Sequence, residues 1–267
     1  MQITRIVCGI EVGRGVGAAA RARRLAPEGV PLVLLGAADV EGAALASQPI
    51  GDLEMGAALP VGPYTSFDDL EDAVRAELER ARTALGGPEP ALRIEVGALG
   101  PALEAAATDE GSLLALDAPT EGRLLGIVDG QPATWLLHES SRPLLLARGP
   151  EDPGDFPRAI VAGVDGSPAS EFAARAAGEI ARRRGAGLRL VVARGGRGVD
   201  RDAVEAMRSA LPPHELVEDD RSPVHALTRA DADLIVVGSR GLHGLRALGS
   251  ISERVAHGAH ASVLVAR

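Results

Sequence analysis

The chain carries one sequence pattern twice. Residues 5–11 resemble residues 158–165, since each is a short apolar run that contains one glycine and ends in an acidic residue. Residues 138–148 likewise resemble residues 257–267, and both segments begin with histidine and end in Ala-Arg. A cluster of glycine, proline and acidic residues lies between the copies and is typical of a linker. The repetition predicts an internal duplication, with a first unit at 1–148, a linker at 149–157 and a second unit at 158–267.

Apolar runs alternate with amphipathic stretches in the second copy, which favours a parallel sheet covered on both faces. Ser167 suits the N-cap of a helix, and Pro168 suits its first position. We therefore predict the α/β class: two units, each an open, mostly parallel, five-stranded, Rossmann-like sheet with helices on both faces. The predicted strands are 159–164, 188–193, 214–218, 233–238 and 262–266, and the predicted helices are 168–184, 200–210, 222–230 and 249–258.

The first copy is longer than the second, and the excess lies before a helix predicted at 68–85. That helix has an apolar face formed by Leu70, Val74, Leu78, Ala81 and Leu85. Glu71 and Arg75 are spaced to pair on its exposed side. Residues 39–65 are rich in glycine, alanine and proline, and we expect a long surface loop there rather than a lid.

Composition excludes several classes of function. The net charge is −9 and there is no basic block, which argues against nucleic acid as a partner. The chain has no lysine, so a phosphate-binding lysine or a Schiff base is excluded, and its one cysteine cannot form an internal disulfide. The amino terminus does not resemble a signal peptide, and no apolar run reaches the roughly 20 residues of a membrane span. We expect a cytoplasmic protein with no membrane contact.

Two predicted turns project from the carboxyl ends of strands, where open parallel sheets bind ligands. A carboxylate on the first turn could accept hydrogen bonds from ribose hydroxyls or hold a hydrated Mg²⁺. Glycines and a serine on the second turn could donate to phosphates. Alternatively, the glycines only close tight turns. The first turn carries Gly163, Val164, Asp165, Gly166 and Ser167, and the second carries Gly238, Ser239, Arg240, Gly241, Gly249 and Ser250.

The second turn resembles a known family. The pattern Gly238-x-x-Gly241 and Gly249-Ser250, preceded by Ala-Asp-Leu-Ile-Val-Val and followed by Ser-Glu-Arg-Val-Ala-His, is similar to that of universal stress proteins. The resemblance implies ATP or a related adenine nucleotide, with Mg²⁺, in the second unit. It places Gly163, Val164 and Asp165 near the adenine and ribose, the backbone of Ala193 at the base, and Gly238, Gly241, Gly249 and Ser250 at the ribose and phosphates.

The family pairs its units through the last strand. The resemblance therefore implies pairing of 143–148 with 262–267 within this chain as an internal pseudo-dimer, and it allows a homodimer as well. Seven residues separate Gly241 from Gly249, about two fewer than the family's usual spacing, which shortens the loop by about half a helical turn. In the first copy Glu11 replaces the aspartate and Pro119 replaces a glycine. We expect that site to be inactive.

We predict a stress-response or regulatory module that works by binding a nucleotide, with no catalytic residue and no direct metal ligand. A slow ATPase or autokinase that uses Asp165 and Mg²⁺ is one alternative, and a scaffold that binds no nucleotide is another.

Other signals are weaker. They are a dinucleotide-type loop at 13–17, a metal site at His243, His257 and His260 with the last two on one helix, a hydrolase serine at Ser239, Ser250 or Ser252, and core positions for Cys8 and Trp135.

Overall fold

Ten β-strands form one continuous sheet in the computed structural model, which describes residues 1–11, 13–39, 67–118, 132–195, 198–239 and 251–267. The spatial order is β3-β2-β1-β4-β5-β10-β9-β6-β7-β8. The strands are β1 (Arg5–Ile10), β2 (Leu32–Ala38), β3 (Ala91–Val96), β4 (Ser112–Asp117), β5 (Leu144–Ala147), β6 (Ala159–Gly163), β7 (Gly187–Ala193), β8 (Glu215–Asp219), β9 (Leu234–Gly238) and β10 (Ser262–Ala266).

The two halves of the sheet repeat the same strand order. Within β1–β5 and within β6–β10, the first strand lies between the second and the fourth, and all neighbours are parallel. The halves join where β5 and β10 run antiparallel, with Leu145 opposite Leu264. The mostly parallel α/β fold and the pairing of 143–148 with 262–267 are therefore confirmed. The exact division at 149–157 stays a prediction.

Eight helices in the described residues cover the two faces of the sheet. One face packs against α1 (Val16–Leu25), α2 (Phe67–Leu85), α5 (Pro168–Arg184) and α6 (Arg201–Arg208). The other face packs against α3 (Leu99–Ala106), α4 (Pro132–Glu139), α7 (Pro223–Thr228) and α8 (Ile251–Gly258). Both faces bury aliphatic side chains, which matches strands that are apolar along their whole length.

The residues predicted to begin α5 form the expected helix cap. The Ser167 side chain accepts a hydrogen bond from the Ser170 N–H, Pro168 opens α5, and Gly185 ends it with a left-handed φ of 66°. Helix α2 buries its apolar face, and Arg75 pairs with Glu71 at 2.6 Å. Nearly all of the predicted loop at 39–65 lies outside the described residues. No helix in the described part of the chain is long and apolar enough to span a membrane.

Candidate functional site

The turn after β6 directs a carboxylate to the carboxyl edge of the sheet. Val164 is buried, and its N–H donates to the Val191 carbonyl at 3.0 Å. The next residue, Asp165, leaves the sheet, and its Oδ1 accepts from the Ser167 N–H at 3.0 Å. Gly166 adopts a φ of +85°, and a Cβ there would lie 2.5 Å from the Asp200 carbonyl oxygen. This turn therefore requires glycine, and it holds Asp165 beside the start of α5.

The backbone of Ala193 faces the same crevice. The Val191 carbonyl accepts its hydrogen bond from Val164, on the β6 side of β7. The Arg194 N–H donates to the Asp219 carbonyl on the β8 side, at 2.7 Å. Backbone groups alternate in direction along a strand, so those of Ala193 point like those of Val191. Strand β6 ends at Gly163, which lies opposite Val191. The backbone groups of Ala193 therefore point beyond the end of β6.

Two of the predicted glycines are small for packing reasons. A Cβ on Gly163 would lie 2.7 Å from Leu227 Cδ1, and a Cβ on Gly238 would lie 2.1 Å from the Ala169 carbonyl oxygen. The start of α5 thus sits directly against the end of β9. Close packing is thus a structural reason for glycine at both positions, and it does not conflict with a ligand above them.

Two hydrogen bonds hold the backbone at the end of β9. The Ser239 N–H donates to the Ala266 carbonyl at 3.0 Å, and the Gly238 carbonyl accepts from Ser252 Oγ of α8 at 2.6 Å. Ser252 therefore has a structural partner rather than a hydrolase relay. The predicted phosphate-side residues Gly241, Gly249 and Ser250, together with Arg240, lie outside the described residues.

Because β7, β6 and β9 are parallel neighbours, their carboxyl ends bring five of the eight predicted site residues to one edge. These are Gly163, Val164, Asp165, Ala193 and Gly238. The edge offers one carboxylate and the backbone groups of Ala193. That combination can accept hydrogen bonds from hydroxyls and can exchange hydrogen bonds with a planar heterocycle.

Comparisons with known proteins find one family. Residues 194–267 match the model of the universal stress protein family. A universal stress protein of Mycolicibacterium smegmatis is 32% identical over 171 residues, covering 55% of this chain and 58% of the relative. One of Mycobacterium tuberculosis is 32% identical over 189 residues, covering 60% and 63%. The C-terminal part of the chain is therefore similar to universal stress proteins.

The chain spans less than two thirds of the length of these curated relatives. A solved universal stress protein of Archaeoglobus fulgidus shares the fold along the whole chain. Its TM-score is 0.70 at 15% identity, and the match covers 100% of this chain and 97% of that one. At that identity the likeness concerns the fold alone.

The N-terminal half of the chain has a different crevice. Asp117 ends β4 at the place where Gly238 ends β9, and its Oδ2 accepts from the Gly15 N–H at 2.6 Å. Gly15 is the N-cap of α1, whose N-terminus attracts negative charge. An internal carboxylate thus accepts a hydrogen bond at the start of this helix. Sequence reasoning missed this role, although Asp117 stands where the second copy has glycine.

A second carboxylate strengthens the effect. Burial raises the pKa of Asp117, although the Gly15 hydrogen bond and the charge of Arg21 oppose this. Burial also raises the pKa of Glu11; the charge of Arg14 opposes that shift, and the charge of Asp117 adds to it. Two neighbouring carboxylates repel a phosphate. The geometry therefore favours the prediction that this half does not bind nucleotide.

Within the described residues, the glycine loop and the histidines of the weaker sequence signals have structural roles. The glycine loop at 13–17 uses its Gly15 N–H on Asp117 rather than on a cofactor. His257 lies on α8 and burial lowers the pKa of its ring, but α8 ends at Gly258, so the prediction that His260 shares that helix is wrong. In the described part of the chain no three metal-ligating side chains converge, and His243 falls outside it.

Both predicted core positions lie in apolar surroundings. Cys8 is fully buried, and burial followed by the charge of Asp117 raises the pKa of its thiol. Trp135 is only half-buried, and it packs beside Gly100 of α3, where a Cβ would lie 3.1 Å from the indole ring. Neither side chain reaches the edge that carries Asp165.

Proposed function

We propose that the C-terminal half binds an adenine nucleotide at the carboxyl ends of β6, β7 and β9. On this proposal the protein is a stress-response or regulatory module that works by binding rather than by turnover. The observation that carries the proposal is the strand order. Strand β6 lies between β7 and β9 in the sheet. The chain goes from β6 to β7 through α5 on one face of the sheet, and it reaches β9 through α7 on the opposite face. Open α/β sheets bind ligands at such a reversal.

The groups at this reversal suit a nucleoside. The Asp165 carboxylate is an acceptor for the paired hydroxyls of a ribose, and the Ala193 backbone lies one strand away, at the distance of the base. When Mg²⁺ accompanies ATP, the phosphates and water would provide most of its ligands, and Asp165 would act through a water molecule. The phosphates would lie toward Gly238 and the predicted residues Gly241, Gly249 and Ser250.

The contrast between the halves predicts one nucleotide per chain. The N-terminal crevice carries Glu11 and Asp117, and Asp117 already occupies the N-terminus of α1. The C-terminal crevice has Gly238 in place of Asp117 and keeps the carboxylate of Asp165 at the first turn. An anion would therefore meet less repulsion in the C-terminal half.

The test compares ATP binding to the wild type, Asp165→Asn and Glu11→Gln. Asparagine keeps an oxygen that can accept from the Ser167 N–H, so the turn is preserved while the charge is removed. We expect calorimetric titration to show one site in the wild type, weakened about tenfold or more in Asp165→Asn and unchanged in Glu11→Gln. Freshly purified protein should also release adenine nucleotide on denaturation.

The proposal fails if no nucleotide is released and titration with ATP produces no binding heat. A single-turnover incubation with labelled ATP separates binding from catalysis. Intact ATP supports a binding module. Labelled phosphate or labelled protein would instead support the slow ATPase or the autokinase. Loss of affinity in both variants would place a nucleotide in each half and contradict the assignment to the C-terminal half.

A further inference from the structure

Two arginines, Arg148, which is buried, and Arg267, which is half-buried, cross the junction between β5 and β10. Arg148 follows β5, and its Nη2 donates to the Ala256 carbonyl of α8 at 2.6 Å, while Nη1 donates to the Ala261 carbonyl at 3.3 Å. Arg267 follows β10, and it donates to the Leu136 and Leu137 carbonyls of α4 at 3.2 and 2.7 Å. Each half thus places a guanidinium on the last helix of the other half.

These contacts act at helix C-termini. The last carbonyls of a helix have no partner within the helix and carry partial negative charge, so a cation there is stabilising. Arg148 is 7% exposed, and burial lowers its pKa only to about 10, so the guanidinium remains charged at neutral pH. Hydrogen bonds from a charged donor are stronger than those between neutral groups.

Helix α8 is also held near its first turn. His138 of α4 contacts Glu253 in the first turn of α8, with Nε2 and Oε1 2.9 Å apart and both side chains mostly buried. In the repeated pattern His138 corresponds to His257, and Glu253 corresponds to Thr134. Threonine has no carboxylate, so the mirrored position cannot form the equivalent contact. The N-terminal half therefore fixes α8 near both of its ends.

The position of α8 matters because Ser252 in its first turn donates to the Gly238 carbonyl at the end of β9. Gly238 lies at the edge where we place the nucleotide. We infer that Arg148 and His138 are positioning residues through which the N-terminal half holds α8 against the C-terminal crevice. The effect on ATP affinity rests on the proposed function, whereas the hold on α8 does not.

The test uses the pseudo-symmetry as its control. Arg148→Met and Arg267→Met remove guanidinium groups at mirrored positions, but only the Arg148 group donates to α8. Hydrogen exchange should be about tenfold faster at the end of α8 in Arg148→Met, and at the end of α4 in Arg267→Met. The ATP Kd should rise about tenfold in Arg148→Met and remain within about twofold of the wild type in Arg267→Met.

A milder variant keeps the test valid if Arg148→Met does not fold. His138→Ala removes the contact with Glu253, and we expect faster exchange in the first turn of α8 without loss of the fold. Exchange in α8 that is no faster than in the wild type, or that accelerates equally in Arg267→Met, overturns the inference. A wild type that binds no ATP refutes the proposed function, and the exchange of α8 then still decides the positioning role.

Discussion

Replacing Gly238 with alanine should destabilise the fold even in the absence of any ligand. The new Cβ would lie 2.1 Å from the Ala169 carbonyl oxygen and 2.4 Å from its carbonyl carbon, and real Cβ atoms essentially never come closer than 3.0 Å. Both atoms belong to the backbone, so no side chain can rotate away. The start of α5 must therefore move from β9 by nearly 1 Å, which disturbs the buried alanines of α5.

The loss of folding stability follows from this displacement. Inserting a methyl group into a packed core costs about 1–3 kcal/mol, and a backbone obstacle places Gly238→Ala at about 2–3 kcal/mol. Urea unfolding followed by circular dichroism measures it as a lower midpoint with an unchanged m-value. Gly187→Ala is the matched control. The nearest atom to its added Cβ, the Arg158 carbonyl oxygen, is 3.7 Å away, so we expect a change within about 1 kcal/mol.

A Gly238→Ala midpoint equal to that of Gly187→Ala would refute the close approach of α5 to β9. If the destabilisation is found, it affects how binding experiments are interpreted. Weaker nucleotide binding in a Gly238 variant would then report the displaced helix as well as any lost contact. Asp165→Asn, which preserves the turn at Ser167, is the cleaner probe of the site.

Two further predictions concern the N-terminal crevice. Burial raises the pKa of Asp117 above its ordinary value of 3.8, so the folded chain retains the proton longer and stability falls as the pH rises above 3.8. Asp117→Asn should reduce this fall in urea midpoints measured from about pH 4 to about pH 7, and an unchanged slope would contradict the assignment. Because burial raises the pKa of the Cys8 thiol, a disulfide reagent should modify Cys8 only on unfolding. Rapid modification of the native protein would show an exposed thiol.

Local signals in the sequence were sufficient for most of the fold. The apolar runs predicted the strands of the second half, and Ser167 with Pro168 predicted where α5 begins. The spacing of Leu70, Val74 and Leu78 predicted the buried face of α2. Each of these features depends on residues a few positions apart, where periodicity and capping chemistry decide the outcome.

The sequence did not predict the contacts that distinguish the two halves. Asp117 and Gly15 are 102 positions apart, and Arg148 and Ala256 are 108 apart. Such contacts depend on how the helices pack, which no short pattern encodes. Gly238 was assigned to a phosphate loop because its neighbours suggested one, whereas its packing against Ala169 is visible only in three dimensions.

The antiparallel junction of β5 and β10 has a consequence for how such a chain can change. In a symmetric dimer every substitution occurs twice, and each contact surface must fit its own copy. A single chain with two similar halves is free of that requirement. Glu253 can face His138 although Thr134 stands at the mirrored position, and Asp117 can place a carboxylate in one crevice while the mirrored Gly238 adds none to the other. Covalent linkage thus allows the two halves to carry different residues at mirrored positions.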